Sequence, residues 1–403
     1  MSCKMSGRKR ILFYYDNPCS ETAKGGTELA TYRIAKALSG LHGWEIYNAW
    51  RKGDDKLPEG FIYKSGIKLP NTGGKFVKSL STFLKNNEID VAVNMGKFFR
   101  NRKIVKAIKQ SGRDIKLIFM HHFAPGSERI KSLWSSNLDL LSIDPTNMLY
   151  FLRVSFYPLF RLNRTLSLPD KYKSVAKKAD KIVLLSENYI KPFMKFGGIK
   201  DKWRDKFIAI PNIYPDELQE INEDKKKHVL ILSRMDEIQK RISLALKIWK
   251  NIENDPELKD WKLDIVGTGH NLKSLEKLSR KMRLQNVVFH GWGVSRQFLD
   301  ENSIFMMTSR YEGLSLSLLE ATATGCVPIV FNSHASLPDV IDDRKNGIIV
   351  QFDGDIDEFT EELKSLMKDD VFRKELANAG FSRMSNFTET TVGKRWNDML
   401  NSL

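Results

Sequence analysis

The hydrophobic residues of the chain fall into short continuous runs that alternate with segments of helical periodicity. In the first half, Thr27 is predicted to cap a helix that reaches Ser39. The apolar runs predict strands at residues 11–15, 45–48, 89–94, 117–121, 182–186 and 207–210. Because several of these runs are continuous rather than alternating, they favour a parallel sheet that is buried on both faces.

The same alternation returns in the second half, after a polar stretch at residues 214–227. Strands are predicted at 228–233, 263–266, 287–290, 303–308, 327–331 and 347–350, and helices at 242–251, 272–280, 356–368, 371–384 and 389–400. We therefore predict an α/β protein of two Rossmann-like domains, residues 1–212 and 213–385, with a closing helix in residues 386–403. A ligand is expected in the cleft between the domains, at the carboxyl ends of the strands.

One stretch of the second half, residues 309–328 (SRYEGLSLSLLEATATGCVP), combines two carboxylates with a helix start. Glu312 lies in the loop after a strand, and Glu320 lies eight positions further on, within the helix. Gly313 lets the backbone approach a ligand, and Ser315, or the serine two positions on, can cap the helix, whose free N–H groups attract phosphate. Carboxylates accept hydrogen bonds from sugar hydroxyls. The glutamate pair alone also fits a solvated surface loop.

Three further motifs follow predicted strands. Gly25 and Gly26 precede a helix and allow a second close approach to phosphate. Arg234 and Lys240, six positions apart after the first strand of the second half, can clamp a diphosphate. Residues 267–269 (Gly-Thr-Gly) form a turn that can pass close to a flat ring. Each motif alone is weak, because turns and surface cations are common.

Residues 148–166 (MLYFLRVSFYPLFRLNRTL) are dense in aromatic side chains and leucines, with arginines between them. The stretch fits a helix resting on anionic lipid. It fits equally a core helix kinked at Pro158. The sequence leaves both interpretations open.

The net charge of +16 is unevenly distributed, about +21 in residues 1–212 and about −5 in residues 213–403. An excess on one side suggests an anionic partner for the first half, either a lipid surface or a nucleic acid. No nucleic-acid-binding motif with interleaved basic and aromatic residues is found, so a nucleic-acid partner is not expected.

The cysteines and the N-terminus indicate a cytoplasmic protein. Cys3, Cys19 and Cys326 form no CxxC motif and no His/Cys cluster, which argues against a zinc site and a disulfide framework. The apolar run at residues 11–15 is too short for the core of a signal peptide, and no run of 18 apolar residues occurs.

The stretch 309–328 resembles the E-x7-E signature of retaining GT-B glycosyltransferases of family 4. The other family motifs occur in the expected order along nearly the whole chain: Gly25, Gly26 and Glu28, a strand ending in His121, Ser186-Glu187, Ile210-Pro211-Asn212, the Arg234/Lys240 pair, residues 266–269 (VGTG) and residues 290–292 (HGW). This ordered set is far more specific than any one member.

By this resemblance, the second domain holds a nucleotide-sugar donor, with a UDP-sugar as the default, and the first domain approaches the acceptor. Glu320 would bind the ribose hydroxyls, and Glu312 would contact the donor sugar. His121 would lie near that sugar, although a slip of one residue would put His122 there instead. Gly267 would approach the nucleotide.

The diphosphate would be bound by Arg234 and Lys240, as the resemblance implies. Backbone groups would also bind the diphosphate, at Gly25, Gly26, Gly313, Leu314, Ser315 and Leu316. The leaving diphosphate would deprotonate the acceptor on the same face of the sugar, so that no metal is required. Asp353-Gly-Asp355 lies past the last donor motif and is interpreted as a loop.

The sequence thus predicts a retaining hexosyltransferase of bacterial surface polysaccharide synthesis that acts on a saccharide or lipid-linked saccharide. The inner face of the membrane is a location compatible with this activity. Three positions depart from the family pattern, since Ser233, Arg241 and Ile213 stand where the family usually has glycine. The alternatives are an isomerase of the sugar-nucleotide 2-epimerase type, which needs no acceptor, and a basic nucleic-acid-binding protein.

Overall fold

A computed structural model describes residues 9–23, 25–54, 62–132, 157–214, 220–293, 295–351 and 355–403, with single positions between 138 and 155. The chain divides into two compact units, one of Met1–His122, Ser167–Asp216 and Asn386–Leu403, the other of Phe123–Leu166 and Glu217–Ser385. The domain boundaries predicted at 212 and 385 place residues 123–166 in the first domain instead. Part of that segment lies outside the described residues, and the predicted boundaries stay a prediction.

The first unit is built on a parallel sheet. Its strands are β1 (Arg10–Tyr14), β2 (Glu45–Trp50), β3 (Tyr63–Lys68), β4 (Val91–Met95), β5 (Lys116–His121), β6 (Lys181–Leu184) and β7 (Phe207–Ala209). They lie in the order β3-β2-β1-β4-β5-β6-β7. The sequence did not predict β3, because its residues, YKSGIK, contain no apolar run. This strand lies at the sheet edge, and none of its residues is fully buried.

Among the described residues, the helices between these strands are α1 (Gly26–His42), α2 (Gly73–Asn86), α3 (Phe98–Ser111), α4 (Tyr157–Lys178) and α5 (Ile190–Gly197). The expectation that Thr27 caps α1 is wrong. Gly25 occupies the N-cap position, and no side chain caps the helix. The alternatives for residues 148–166 stay open, since most side chains of that stretch lie outside the described residues.

The second unit repeats the arrangement. Its strands are β8 (Lys226–Leu232), β9 (Lys262–Val266), β10 (Val287–Gly291), β11 (Asn302–Met307), β12 (Val327–Phe331) and β13 (Ile348–Val350), and its helices in the described part are α6 (Glu237–Lys240), α7 (Ile242–Glu253), α8 (Leu272–Lys281), α9 (Ser295–Glu301), α10 (Leu316–Ala323), α11 (Leu337–Val340), α12 (Asp357–Lys368) and α13 (Asp370–Arg383). The parallel order β10-β9-β8-β11-β12-β13 is that of a Rossmann sheet.

The last helix, α14 (Glu389–Asn401), returns to the first unit and packs against α1. Trp396 is fully buried there, and Trp44 Nε1 donates to Asn397 Oδ1 at 3.0 Å. The fold class predicted from the sequence, two Rossmann-like halves with a closing helix on the first, is thereby confirmed. None of the helices in the described part is long and apolar enough to cross a bilayer.

Candidate functional site

The sheet order of the second unit fixes where a ligand can bind. Strand β8 lies between β9 and β11, so that the chain leaves β8 towards one side and later returns on the other. Loops diverge at such a switch point and leave a crevice beyond the carboxyl ends of the strands. The loops after β8, β9, β11 and β12 therefore meet at one edge, and they carry the predicted donor-site residues of this unit.

A buried ion pair joins the loops after β8 and β11. Lys240 Nζ lies 2.6 Å from Glu312 Oε1, and both side chains are almost fully buried. Gln239 donates from Nε2 to the other carboxylate oxygen of Glu312 at 3.1 Å. The side-chain oxygen of Gln239, Oε1, accepts a hydrogen bond from the Arg234 guanidinium at 3.0 Å. The predicted residues Arg234, Lys240 and Glu312 thus belong to a single network.

Sequence reasoning missed Gln239, which connects the members of this network. Its position gives one usable signal, since it lies directly before Lys240 and five residues after Arg234. The main-chain carbonyl of Gln239 also accepts from the amide of Arg310 at 2.7 Å. Gln239 therefore fastens the two loops through both its side chain and its backbone.

The charge of Glu312 is stabilised where it lies. Burial alone would raise the pKa of its carboxyl, but the Lys240 ammonium holds that pKa below its ordinary value. Glu312 is consequently an anion at neutral pH, and it can accept hydrogen bonds from hydroxyl groups.

The glycines after β9 are required by close backbone contact. A Cβ on Gly267, whose φ is +137°, would lie 1.9 Å from the carbonyl oxygen of Ser233. A Cβ on Gly269 would lie 2.5 Å from the carbonyl oxygen of Met235. Both glycines therefore hold the loop that presents Arg234, and this contact is a structural reason for Gly267 beside any role towards a nucleotide.

Arg241, a departure from the family pattern, occupies a left-handed backbone conformation with φ of +49°. Glycine adopts that conformation without strain, which accounts for the glycine of the pattern. Here the arginine is held by its side chain, since its Nε donates to the carbonyl oxygen of Thr308 at 2.9 Å. The Thr308 hydroxyl in turn donates to the carbonyl oxygens of Lys240 and Arg241.

Helix α10 begins directly after the loop that carries Glu312. Ser315 is its N-cap and accepts from the amide of Leu318 at 3.3 Å, while Gly313 and Leu314 precede it. Leu316 is the first residue of the helix, and the N–H groups of a first turn have no partner within the helix and attract anions. Glu320 lies one turn further on and is partly exposed.

The remaining predicted residues belong to the first unit. Gly25 and Gly26 form the start of α1, where a Cβ on Gly25 would collide with the carboxylate of Glu28. The prediction that these glycines and a histidine share a cleft with the second unit stays a prediction.

The two histidines at the end of β5 have different surroundings. His121 lies among the rings of Phe98, Tyr172 and Phe193, and its Nε2 lies 3.4 Å from the Tyr172 hydroxyl. His122 is also buried, but its Nε2 has no hydrogen-bond partner among the described residues. Burial lowers the pKa of both imidazoles to about 3, so both are neutral at pH 7. The expectation that His121, or His122 after a slip of one residue, lies near the donor sugar stays a prediction.

The arrangement in the second unit combines an exposed guanidinium, a helix N-terminus and two carboxylates at one sheet edge. The first two bind anions, and the carboxylates accept from hydroxyls. Among the described residues, no group of three or more His, Cys, Asp or Glu side chains is arranged to hold a metal ion.

Comparison with known proteins finds similarity to glycosyltransferases. Residues 214–383 match the family model described as "Glycosyl transferases group 1". The amylovoran biosynthesis glycosyltransferase AmsD of Erwinia amylovora is 24% identical over 83% of this chain and 97% of its own length. The GalNAc-alpha-(1->4)-GalNAc-alpha-(1->3)-diNAcBac-PP-undecaprenol alpha-1,4-N-acetyl-D-galactosaminyltransferase of Campylobacter jejuni is 24% identical over 76% of this chain and 79% of its own length.

Solved structures share the fold of this chain. The crystal structure of Anabaena HepE in complex with UDP-glucose superposes with a TM-score of 0.72 at 15% identity, covering 98% of this chain and 100% of that one. The fold is therefore that of a GT-B glycosyltransferase.

We expect Lys240→Met to destabilise the second unit by about 3–5 kcal/mol at pH 7, because it leaves the Glu312 charge buried without its partner. The pKa of Glu312 should then rise above its ordinary value, so that stability is partly regained as the pH falls through that pKa. Adding Glu312→Gln should restore much of the loss at pH 7.

Urea unfolding of the two single variants and the double variant at pH 7 and pH 5 measures this coupling. The control is Lys277→Met, an exposed position on α8, which should change stability by less than about 0.5 kcal/mol. Equal effects of Lys240→Met and the control, or strictly additive single variants, would show that the ion pair does not hold the loops.

Proposed function

We propose that this GT-B glycosyltransferase transfers a hexose-type sugar, with retention of configuration, from a UDP-sugar to a saccharide or lipid-linked saccharide in bacterial surface polysaccharide synthesis. The observation that carries the proposal is the network of Arg234, Gln239, Lys240 and Glu312 beside the N-terminus of α10. This network places anion-binding groups and hydroxyl-binding carboxylates at the crevice of one Rossmann sheet.

The diphosphate of the donor meets three sources of positive charge in this arrangement. The Arg234 side chain is 56% exposed. It donates to Gln239 and lies 4.0 Å from a carboxylate oxygen of Asp236, so its five N–H groups still include donors for a ligand. The amides at the start of α10 add the positive end of the helix dipole. Lys240 contributes less net charge, because Glu312 neutralises it, but an ammonium bonded to one carboxylate keeps further donors.

The two glutamates divide the remaining contacts. Glu312, held as a buried anion, accepts from hydroxyls of the transferred sugar. Glu320, one turn into α10 and partly exposed, accepts from the ribose hydroxyls. The UDP-glucose bound to Anabaena HepE, a protein of the same fold, supports a UDP-sugar as the donor.

The reaction breaks the bond between the anomeric carbon and the diphosphate oxygen and forms a bond to an acceptor hydroxyl on the same face. The hydroxyl proton goes to the leaving diphosphate. Arg234 and the α10 amides stabilise the charge that develops on that diphosphate, which is the step in which fixed dipoles and cations contribute most. The proposal assigns this task to the protein's own cations, with no resident metal.

The acceptor side of the proposal rests on charge. Helices α2 and α3 pack against each other and carry eight lysines and arginines and no acidic residue. Within the described residues, none of these eight cations forms an ion pair. Such a surface attracts an anionic leaflet, where a lipid-linked acceptor lies. The diphospho-undecaprenol acceptor named for the Campylobacter jejuni relative supports this class of acceptor.

A thermal-shift screen of nucleotide sugars tests the donor site. At a concentration of 100 times the dissociation constant, the bound donor should stabilise the wild type by about 2.7 kcal/mol, which raises the melting temperature. Glu320→Ala should remove most of this shift, because the ribose loses its acceptor. The exposed Glu358→Ala on α12 is the matched control and should retain it. If no nucleotide sugar shifts the wild type, the donor-site assignment is wrong.

Vesicle sedimentation tests the basic surface. At low salt the protein should bind vesicles containing phosphatidylglycerol and not pure phosphatidylcholine. Arg102→Glu combined with Lys106→Glu, both exposed on α3, should weaken binding at least about tenfold, since each surface cation contributes about 1 kcal/mol. Lys277→Glu with Lys281→Glu on α8 makes the same charge change elsewhere and should have a small effect. An equal loss in both pairs would show that only net charge matters.

A further inference from the structure

A histidine that plays no part in the network described above lies beside Glu312. His334 follows β12, so its loop reaches the same edge of the sheet as the loop that carries Glu312. Two residues further on, the Ser336 hydroxyl donates to the carbonyl oxygen of Gly313. This bond fixes the His334 loop directly onto the residue that follows Glu312.

The imidazole of His334 is buried, and only one of its two ring nitrogens has a hydrogen-bond partner among the described residues. Only 7% of the residue is exposed. Its Nδ1 lies 3.0 Å from the Ser333 hydroxyl, whereas its Nε2 is shielded from solvent and has no hydrogen-bond partner among the described residues. A buried polar atom without a partner costs free energy, so an orphan of this kind at a ligand-binding edge calls for a partner from the ligand.

The neighbouring protein groups do not serve as that partner. The Glu312 carboxylate bonds Lys240 and Gln239 and makes no hydrogen bond to His334 Nε2. When Nδ1 accepts a hydrogen bond from the Ser333 hydroxyl, the neutral imidazole carries its hydrogen on Nε2. Nε2 is then a hydrogen-bond donor that has no acceptor among the described residues.

The charge state of His334 selects the kind of acceptor. Burial lowers the pKa of the imidazole to about 4, although the Glu312 carboxylate acts to raise it. His334 is therefore neutral above about pH 5. A neutral N–H donor suits a sugar hydroxyl, whereas a diphosphate is better matched by the cations and helix amides already present.

We propose that His334 donates a hydrogen bond from Nε2 to a hydroxyl of the transferred sugar and so helps to set which donor sugar the enzyme accepts. The inference rests on the proposed function, because it assumes that Glu312 faces the same sugar. It gives this chain a specificity residue outside the stretch 309–328.

The test compares UDP-glucose with UDP by calorimetry on the full chain. His334→Phe should bind UDP as the wild type does and UDP-glucose about tenfold or more weakly, because one buried hydrogen bond is lost. His334→Gln, which places an amide N–H in the same region, should recover part of the loss. Both variants should show the wild-type circular dichroism spectrum.

A UDP-deoxyglucose series identifies the hydroxyl. The deoxy sugar that lacks the contacted hydroxyl should bind the wild type weakly and should lose nothing further in His334→Phe. Equal losses for UDP and UDP-glucose, or unchanged UDP-glucose binding, would overturn the assignment of His334 while leaving the donor site in place. A wild type that binds neither UDP nor UDP-glucose would overturn the proposed function and this inference together.

Discussion

The ion pair between Lys240 and Glu312 holds together the two loops on which the candidate site depends. These loops leave β8 and β11, the neighbouring strands at which the sheet changes direction, so they would otherwise diverge. Two buried charges are costly unless they are paired and hydrogen-bonded, and here Gln239 supplies the additional bond to Glu312. The same contacts that satisfy the charges also fix the position of Arg234 and the start of α10.

Close backbone packing beneath these loops explains why glycine recurs among the family motifs. Gly267 and Gly269 let the β9 loop lie against the β8 loop, and both positions exclude a side chain because carbonyl oxygens occupy the space. Arg241 shows the converse case. There the left-handed conformation is kept by an arginine whose side chain is bonded to the neighbouring loop, so the backbone shape persists without glycine.

The sequence predicted the strands of both sheets well where burial on both faces makes a strand continuously apolar, as in β12 and β4. It missed β3, an edge strand with no apolar run, and it misplaced the cap of α1 on Thr27 because side-chain capping is a preference and not a rule. Of the site, it predicted the charged residues but not Gln239 or His334. Hydrogen-bond partners on different loops, such as Gln239 and Glu312, which are 73 residues apart, leave no periodic signal in one chain.

The most direct test of the donor site is hydrogen–deuterium exchange of the wild-type chain with and without saturating UDP-glucose. Amide hydrogens that bind the diphosphate exchange more slowly in the complex, whereas the exchange rates of amides elsewhere change only through global stability. We predict slower exchange in peptides that cover the start of α10 and the loop after β8, above any uniform change. Protection confined to the first unit, or a uniform change without local protection at these loops, would contradict the assignment of the donor to the second unit.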